Sequence, residues 1–384
     1  MRIAVLGGAG FAGAHLAIYF ADRGHAVLAV DSLVRPGSEF GVPRLAAAGV
    51  RVHRGDIRCP EDWAEVWSFR PEAIVDCAAQ PSAVAGYRNP RLDFSSNTFA
   101  VLSGLELCRE TGAAFVMFST NKVYGQAAVE AYAGVLSVQP DRFEASRPVS
   151  EACGLDGGDR SLYGASKVMA DLMVQEWADA FGFPAVVNRC SCLSGPWQWG
   201  HAAQGWVAWW VIAHRLGLPL EYIGYEGRQV RDVLAAEDLC HLLELQLSDL
   251  RPGPEVFNVG GGSEHTLSLR ECTGICRQVT GCEVPVQTVE EPRRADFPWY
   301  VSDIRRVLNR YGWAPTEASD PEALLVAIDS WVCDHMPILR TLFPDALPEV
   351  GGLYESTELA PLDPDVRSHQ GQGRIPVCTG RVTT

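Results

Sequence analysis

Short apolar runs alternate with longer mixed stretches over the first 190 residues of the chain. Arg2 to Leu6, Ala26 to Val30, Val50 to His53, Ala73 to Asp76, Ala113 to Phe118 and Pro184 to Arg189 hold few charges. Runs of this length and composition suit strands buried on both faces of a parallel sheet. The stretches between them carry helical patterns, from Gly13 through Arg23, from Arg91 to Thr111, and from Tyr163 to about Gly182. Strand alternating with helix predicts an α/β fold, a doubly wound parallel sheet of the Rossmann type.

Past residue 190 the alternation loosens, and a smaller C-terminal α/β lobe is expected. A tryptophan-dense helix opens at Gln204-Gly205-Trp206, a short strand covers Gln229 to Val233, and Phe257 to Gly262 reads as a strand and turn. An amphipathic helix covers roughly Asp320 to Asp334. The boundaries that follow are 1–190 for the sheet domain, 191–334 mainly for the lobe, with some segments returning to the sheet, and 335–384 for an extension. From about Gly351 that extension turns polar and aperiodic, the composition of a loosely attached tail.

The first strand leads into Gly7-Gly8-Ala9-Gly10-Phe11-Ala12-Gly13. A glycine turn between strand and helix is the context of a dinucleotide fingerprint. Gly7 and Gly10 let the backbone approach a pyrophosphate, Gly13 lets the helix pack close, and Phe11 and Ala12 open the helix whose N-terminus faces the phosphates. Asp31 ends the second strand about 20 residues on, where a carboxylate takes the ribose hydroxyls and repels a 2′-phosphate. NAD is therefore expected over NADP, although Arg35 beside Ser32 is a residue type that accommodates that phosphate. Asp56, next to Ile57, has two readings: a contact to the adenine amine, or a cap for the helix from Pro60. Small residues at Ala78-Ala79-Gln80 suit backbone passing close to the cofactor, and Asn97, on a helix where asparagine is usually solvated, is a candidate to position the catalytic loop or meet the cofactor.

The chemistry centres on Ser161-Leu162-Tyr163-Gly164-Ala165-Ser166-Lys167, with Thr120 upstream. Tyr163 and Lys167, four apart, share one helix face. A phenol has a pKa near 10 and is a poor base at neutral pH. An ammonium one turn away and a cationic nicotinamide ring are expected to pull that pKa down. Thr120 would hold a substrate hydroxyl while Tyr163 takes its proton. Asn121 and Lys122 follow Thr120 at the strand end where ligands collect, and Arg189 ends the next strand. Residues Gln126 to Arg160 are too long for an ordinary connection and hint at substrate contact. Trp206 and its neighbours read equally as core or as a wall for a sugar or base. Arg293, in the basic loop Pro292 to Asp296, could meet a diphosphate with forked bonds, with a solvated face as the alternative, and Arg231 reads as a buried-type arginine on its short strand.

Composition narrows the function. The chain has 384 residues, 47% of them hydrophobic, with 47 acidic against 32 basic residues and a net charge of −15. That charge argues against a nucleic-acid partner, which needs a basic surface. The 12 cysteines include no Cys-x-x-Cys pair and read as thiols of a reducing cytoplasm, with no metal site. No signal segment or membrane-length apolar run stands out, so a cytoplasmic protein is expected.

Gly7-x-x-Gly10-x-x-Gly13, Asp31, Thr120, Tyr163 and Lys167 together resemble the extended short-chain dehydrogenase/reductase family. Ser119 to Gly125, Gln204 to Val207 and Gln229 to Leu234 resemble, within it, the nucleotide-sugar epimerases of the CDP-paratose 2-epimerase (CDP-tyvelose epimerase) group. The similarity runs to about Val332. It implies NAD, a nucleotide-diphosphate-sugar substrate and a homodimer formed through two helices of each subunit. It suggests Arg231 and Arg293 as contacts to the nucleotide diphosphate. The reaction implied is epimerisation through transient oxidation of a sugar hydroxyl, C2 favoured, with hydride returned to the opposite face. A 4-epimerase, a nucleotide-sugar 4,6-dehydratase and, remotely, a non-catalytic NAD sensor are the alternatives. Asn121 and Lys122 stand where related dehydratases carry acidic residues. The chain departs from the group at Trp197, which replaces a basic residue, at Leu162, which replaces a proline, and at Ala295, which replaces a glycine.

Overall fold

Seven of the strands form one sheet: β1 (Arg2–Leu6), β2 (Ala26–Asp31), β3 (Arg51–Arg54), β4 (Ala73–Asp76), β5 (Ala114–Thr120), β6 (Pro184–Cys190) and β7 (Gly253–Val259). Their spatial order is β7-β6-β5-β4-β1-β2-β3 and every neighbouring pair is parallel. The order runs outward from β1 in both directions, so a crevice opens between β1 and β4 at the carboxyl ends of the strands. These features belong to a computed structural model that describes residues 1–344 except 157 and 158.

Successive strand residues point to opposite faces. Ile3, Val5, Val75, Val116 and Val186 meet Leu16 and Phe20 of α1 (Phe11–Asp22) on one side. Ala4, Leu6, Ile74, Phe115 and Met117 meet Leu105 of α3 (Val101–Thr111) and Ala170 and Val174 of α4 (Leu162–Phe181) on the other. Between α1 and α3 in the chain, the short helix α2 (Gly41–Ala47) packs beside α1. Full burial of each large aliphatic contributes about 1.5–3 kcal/mol, which is why near-continuous apolar runs are required here.

The helix α4 starts at Ser161, whose hydroxyl accepts from the Gly164 N–H at 3.1 Å, and stops at Gly182, which takes the left-handed conformation at φ +74°. The lobe has its own core, where Trp209 and Trp210 of α5 (Trp206–Leu216) pack with Cys272 of the helix Leu269–Thr280 and Ile328 of the helix Pro321–Asp334. Its small sheet joins Cys192–Ser194, Val230–Ala235, Thr266–Ser268 and Trp299–Tyr300.

Two expectations need correction. The Arg91–Thr111 helix is interrupted: Pro90–Phe94 is followed by a π-helical turn at Ser95–Phe99 and then by α3. Residues 126–160 form a helix (Gln126–Ala133) and a hairpin (Leu136–Val138 with Phe143–Ala145), which pack on Phe297, Trp299 and Tyr300. Residues 345–384, including the polar tail, lie outside the described residues.

Candidate active site

A cleft of about 830 Å³ occupies the crevice above β1 and β4. Gly7, Gly10, Phe11, Ala12, Gly13, Asp31, Ser32, Arg35, Asp56, Ile57, Ala78, Ala79 and Gln80 line one wall, and Tyr163 and Lys167 stand at its inner end. The closeness of the backbone explains the glycines. A Cβ on Gly13 would lie 2.2 Å from the Gly7 carbonyl oxygen, and one on Gly7, at φ +68°, would lie 2.8 Å from the Ala78 Cα. Asp31 accepts hydrogen bonds from the backbone N–H groups of Ala9 (3.0 Å) and Leu33 (2.9 Å), so its carboxylate is fixed at the end of β2. Asp56 takes the Arg58 guanidinium, which holds its pKa down, and the turn at Pro60–Trp63 has no side-chain cap. The capping reading of Asp56 therefore falls away.

Asn97 is the first correction to the expected wall. It is 1% exposed and stands off the cleft. Its amide accepts from the Gln80 N–H (2.8 Å) and donates to the Gln80 carbonyl (3.1 Å) and to Ser166 Oγ (3.0 Å). The π turn re-aims this side chain inward, where it ties the Ala78–Gln80 strip to the helix that carries Tyr163 and Lys167. Asn97 thus acts by positioning, as the sequence offered, but its partners are Gln80 and Ser166, which mid-helix spacing conceals.

Thr120 ends β5 and lines the cleft with Tyr163, and the Lys122 N–H donates to Thr120 Oγ1 at 3.2 Å. Burial pushes the phenol up to about 12, and the nearby Thr120 hydroxyl works against that rise. The expected depression by Lys167 is not what the geometry gives: Arg35, on the cofactor wall, is the cation that bears most on Tyr163. Lys167 is 2% exposed; burial pushes its pKa down, and Asp76 at the end of β4 works the other way. Asp76, 1% exposed, is itself pushed up to about 6 by burial against the pull of Lys167.

Across the cleft stand Lys122, Ser191, Cys192, Trp197, Gln204 and Trp206. Lys122 Nζ donates to Asp296 (2.9 Å) and the Ala295 carbonyl (3.2 Å), and Arg231 pairs with the same Asp296 carboxylate (2.7 Å). The two cations hold Asp296 well below the ordinary carboxylate range although burial opposes them. Gln204 accepts from Arg35 and so bridges the two walls. The tryptophans divide: Trp206 lines the cleft, while Trp210 gives its indole N–H to Thr273 Oγ1 (2.9 Å) in the core.

Several expected substrate contacts lie elsewhere. Arg189 is buried and forks onto Asp171, with both bonds at 2.9 Å, so its charge is spent behind β5 and β6. Asn121 is buried beside Thr120, Arg231 is absorbed by Asp296 and the Phe297 carbonyl (2.7 Å), and Arg293 donates to the Ala202 carbonyl (3.0 Å). No residue of 126–160 lines the cleft among those described. Asp296, Arg44 and Trp199 are the side chains that the pattern of residues missed as part of the site; their partners are far away in sequence.

Residues 3–260 match the NAD dependent epimerase/dehydratase family. The chain belongs to that family. It is 30% identical over 326 residues to the CDP-paratose 2-epimerase of Salmonella typhi, covering 82% of this chain and 95% of that protein. It is 27% identical to the UDP-glucose 4-epimerase of Lacticaseibacillus casei, over 87% and 98% of the two chains. The fold superposes on a UDP-glucose 4-epimerase of Thermus thermophilus solved with NAD, at TM-score 0.71, 27% identity and coverage of 86% and 99%. The family's cofactor is NAD, and the cleft fits it: the close-packed glycines and the fixed Asp31 carboxylate leave room for a dinucleotide along the Gly7–Gly13 wall.

Proposed function

We propose that the protein epimerises a nucleotide-diphosphate sugar, with C2 the favoured carbon. The reading rests on one arrangement: Thr120, Tyr163 and Lys167 line the same cleft as the Gly7–Gly13 wall, with the Thr120 hydroxyl acting on the Tyr163 phenol. Tyr163 takes the proton of a sugar hydroxyl, and Thr120 holds that oxygen where charge develops. Bound NAD supplies the hydride acceptor and donor, and its cationic ring supplies positive charge beside the phenol. That charge is needed, because a phenol at about 12 is no base at neutral pH. Lys167, on the same helix face, orients the ribose and keeps positive charge near.

Epimerisation is favoured over 4,6-dehydration because elimination needs a protonated acid beside the sugar. Lys122 follows Thr120 by two residues, and the carboxylate it reaches, Asp296, is held ionised by two cations. Similarity to the Salmonella typhi CDP-paratose 2-epimerase supports C2. A homodimer fits Leu162, Met169 and Leu172, which are exposed on α4, and exposed Phe99 on the π turn that packs against that helix. A cytoplasmic setting fits the free thiols of the described cysteines. No helix among the described residues is long and apolar enough to cross a membrane.

The test incubates the protein with CDP-, UDP- and dTDP-linked hexoses in deuterated water and follows each ring carbon by NMR. Inversion at C2 without deuterium uptake is expected. Inversion at C4 would replace the C2 reading with a 4-epimerase. Deuterium at a carbon beside the reacting one, with loss of water, would end the epimerase reading in favour of elimination.

A further inference from the structure

Arg44 lies outside the dinucleotide fingerprint, yet it lines the cleft. Among the described residues its guanidinium has no ion pair and no hydrogen-bond partner, unlike Arg35, Arg58, Arg189 and Arg231 in the same region. Instead it stacks over the Trp197 indole, with Cζ 4.0 Å from the ring centroid. Burial lowers its pKa to about 10, so the site carries the cost of a partly desolvated cation without an anion to offset it.

Trp197 has its own anomaly. Its backbone sits in the left-handed region at φ +69°, a conformation that bulky residues rarely adopt. Such strain persists where the surroundings hold a residue in place, and it clusters at ligand sites. His335 packs edge-on against the indole at 4.4 Å, so Trp197 is clamped between the imidazole and Arg44.

The place of this pair is set by three contacts. A Cβ on Gly41, one turn before Arg44 on α2, would lie 2.3 Å from the Ala9 carbonyl oxygen inside the glycine turn. A Cβ on Gly195, two residues before Trp197, would lie 3.7 Å from the Phe11 ring. Arg44 also bears on His15, one turn into α1. The guanidinium therefore stands beside the first turn of α1, where free backbone N–H groups and Gly10, Phe11 and Ala12 line the cleft.

We propose that Arg44, held flat by Trp197, is a diphosphate-binding residue that pairs with the pyrophosphate of the dinucleotide at the N-terminus of α1. A fork of N–H donors bonds two phosphate oxygens at once, and a stacked ring fixes the plane of that fork. Nothing in the fingerprint supplies a formal positive charge to this anion; backbone dipoles alone would meet it. The nucleoside diphosphate of the substrate is the other source of the same chemistry, and position beside α1 favours the cofactor.

The test uses full-length wild type, Arg44→Gln, Arg44→Lys and Trp197→Phe, cleared of nucleotide and titrated calorimetrically with NAD, ADP-ribose, adenosine, CDP and UDP. A lost charge-assisted bond weakens binding about 10- to 100-fold. Arg44→Gln is expected to weaken NAD and ADP-ribose by that factor and to leave adenosine, CDP and UDP unchanged. Arg44→Lys keeps the charge and loses the fork, so it should recover part of the loss; Trp197→Phe should cost several-fold on the same two ligands. Unchanged binding of ADP-ribose by Arg44→Gln overturns the proposal, as does a loss confined to CDP and UDP, which would move Arg44 to the substrate. An equal loss for adenosine overturns it too, because that pattern means a damaged fold; intact melting of Arg44→Lys guards against it.

Discussion

The two walls of the cleft are built by different means. The cofactor wall is made of backbone and of side chains whose partners are close in sequence: Asp31 is fixed by Ala9 and Leu33, and Gly13 packs on Gly7. The opposite wall is made of side chains joined over long separations. Lys122 meets Asp296 174 positions away, and Arg35 reaches Gln204 169 positions away. A ligand read by backbone N–H groups needs only a short segment of the right shape. A ligand read by charged side chains needs those charges compensated when the cleft is empty of it, and the fold does so with Asp296.

The junction of the two walls should give the largest effect. Tyr163→Phe removes the cleft-lining phenol oxygen proposed as the base, and turnover should fall roughly 10²- to 10⁴-fold. Thermal stability should change by only about 1 kcal/mol, as for a single lost hydrogen bond. Turnover above about a tenth of wild type, measured where chemistry limits the rate, would remove Tyr163 from the role of base.

The charge-built wall should be the fragile one. Asp296→Asn leaves Lys122 and Arg231 without their shared counter-charge, and stability should drop by about 3 kcal/mol. Because its pKa is depressed in the fold, Asp296 stabilises the protein above the unfolded carboxylate value and loses that contribution as pH falls below about 4. Denaturant melts at pH 7 and pH 3 should therefore differ less for Asp296→Asn than for wild type. An Asp296→Asn protein as stable as wild type would mean that water, not Asp296, compensates these cations.

Asp76 belongs to the cofactor side and should behave in the opposite sense. Its folded pKa of about 6 lies above the unfolded value, so folding favours the protonated form. Stability from this group is complete below about pH 4 and declines by about 2–3 kcal/mol as pH rises to about 6. Asp76→Asn should flatten that decline, which chemical denaturation across pH 4–7 would read directly. A decline that survives the substitution would assign it to another group.

The smallest effect tests backbone strain on the substrate side. Ala295 stands at φ +57°, in the left-handed region that costs a non-glycine residue about 1–2 kcal/mol. Ala295→Gly relieves that strain and adds about 0.5–1 kcal/mol of unfolded-chain entropy. A net gain of about 0.5 kcal/mol in a thermal melt is expected; a loss would show that the Ala295 methyl packs well enough to justify its conformation.

The order of strands and helices was legible because each buried strand must be apolar along its whole length and each glycine turn must sit between a strand and a helix. Strand ends came within one or two residues, and the tryptophan-rich stretch revealed its division into wall and core only in three dimensions. Asn97 shows the limit well: a positioning role was open to it on the sequence, but its partners Gln80 and Ser166 came only with the π turn. Residues 126–160 read as a substrate segment by length alone, whereas hydrophobic contact with Tyr300 and Trp299 gives them a packing role.

What the chain determined by itself was the sheet, the dinucleotide wall and the pairing of Tyr163 with Lys167 on one helix face, because period, spacing and turn chemistry act over a few residues; the fold then brings the candidate Thr120 into the same cleft. Which arginines are spent in ion pairs and which remain open to a ligand was decided only by tertiary structure. In the sequence Arg189 and Arg44 carry no mark that separates them, but Asp171 and Asp296 reach Arg189 and Arg231 from distant segments, and among the described residues no carboxylate pairs with Arg44. Coulomb interactions depend on distance in space, and that distance is set only when the whole chain has packed.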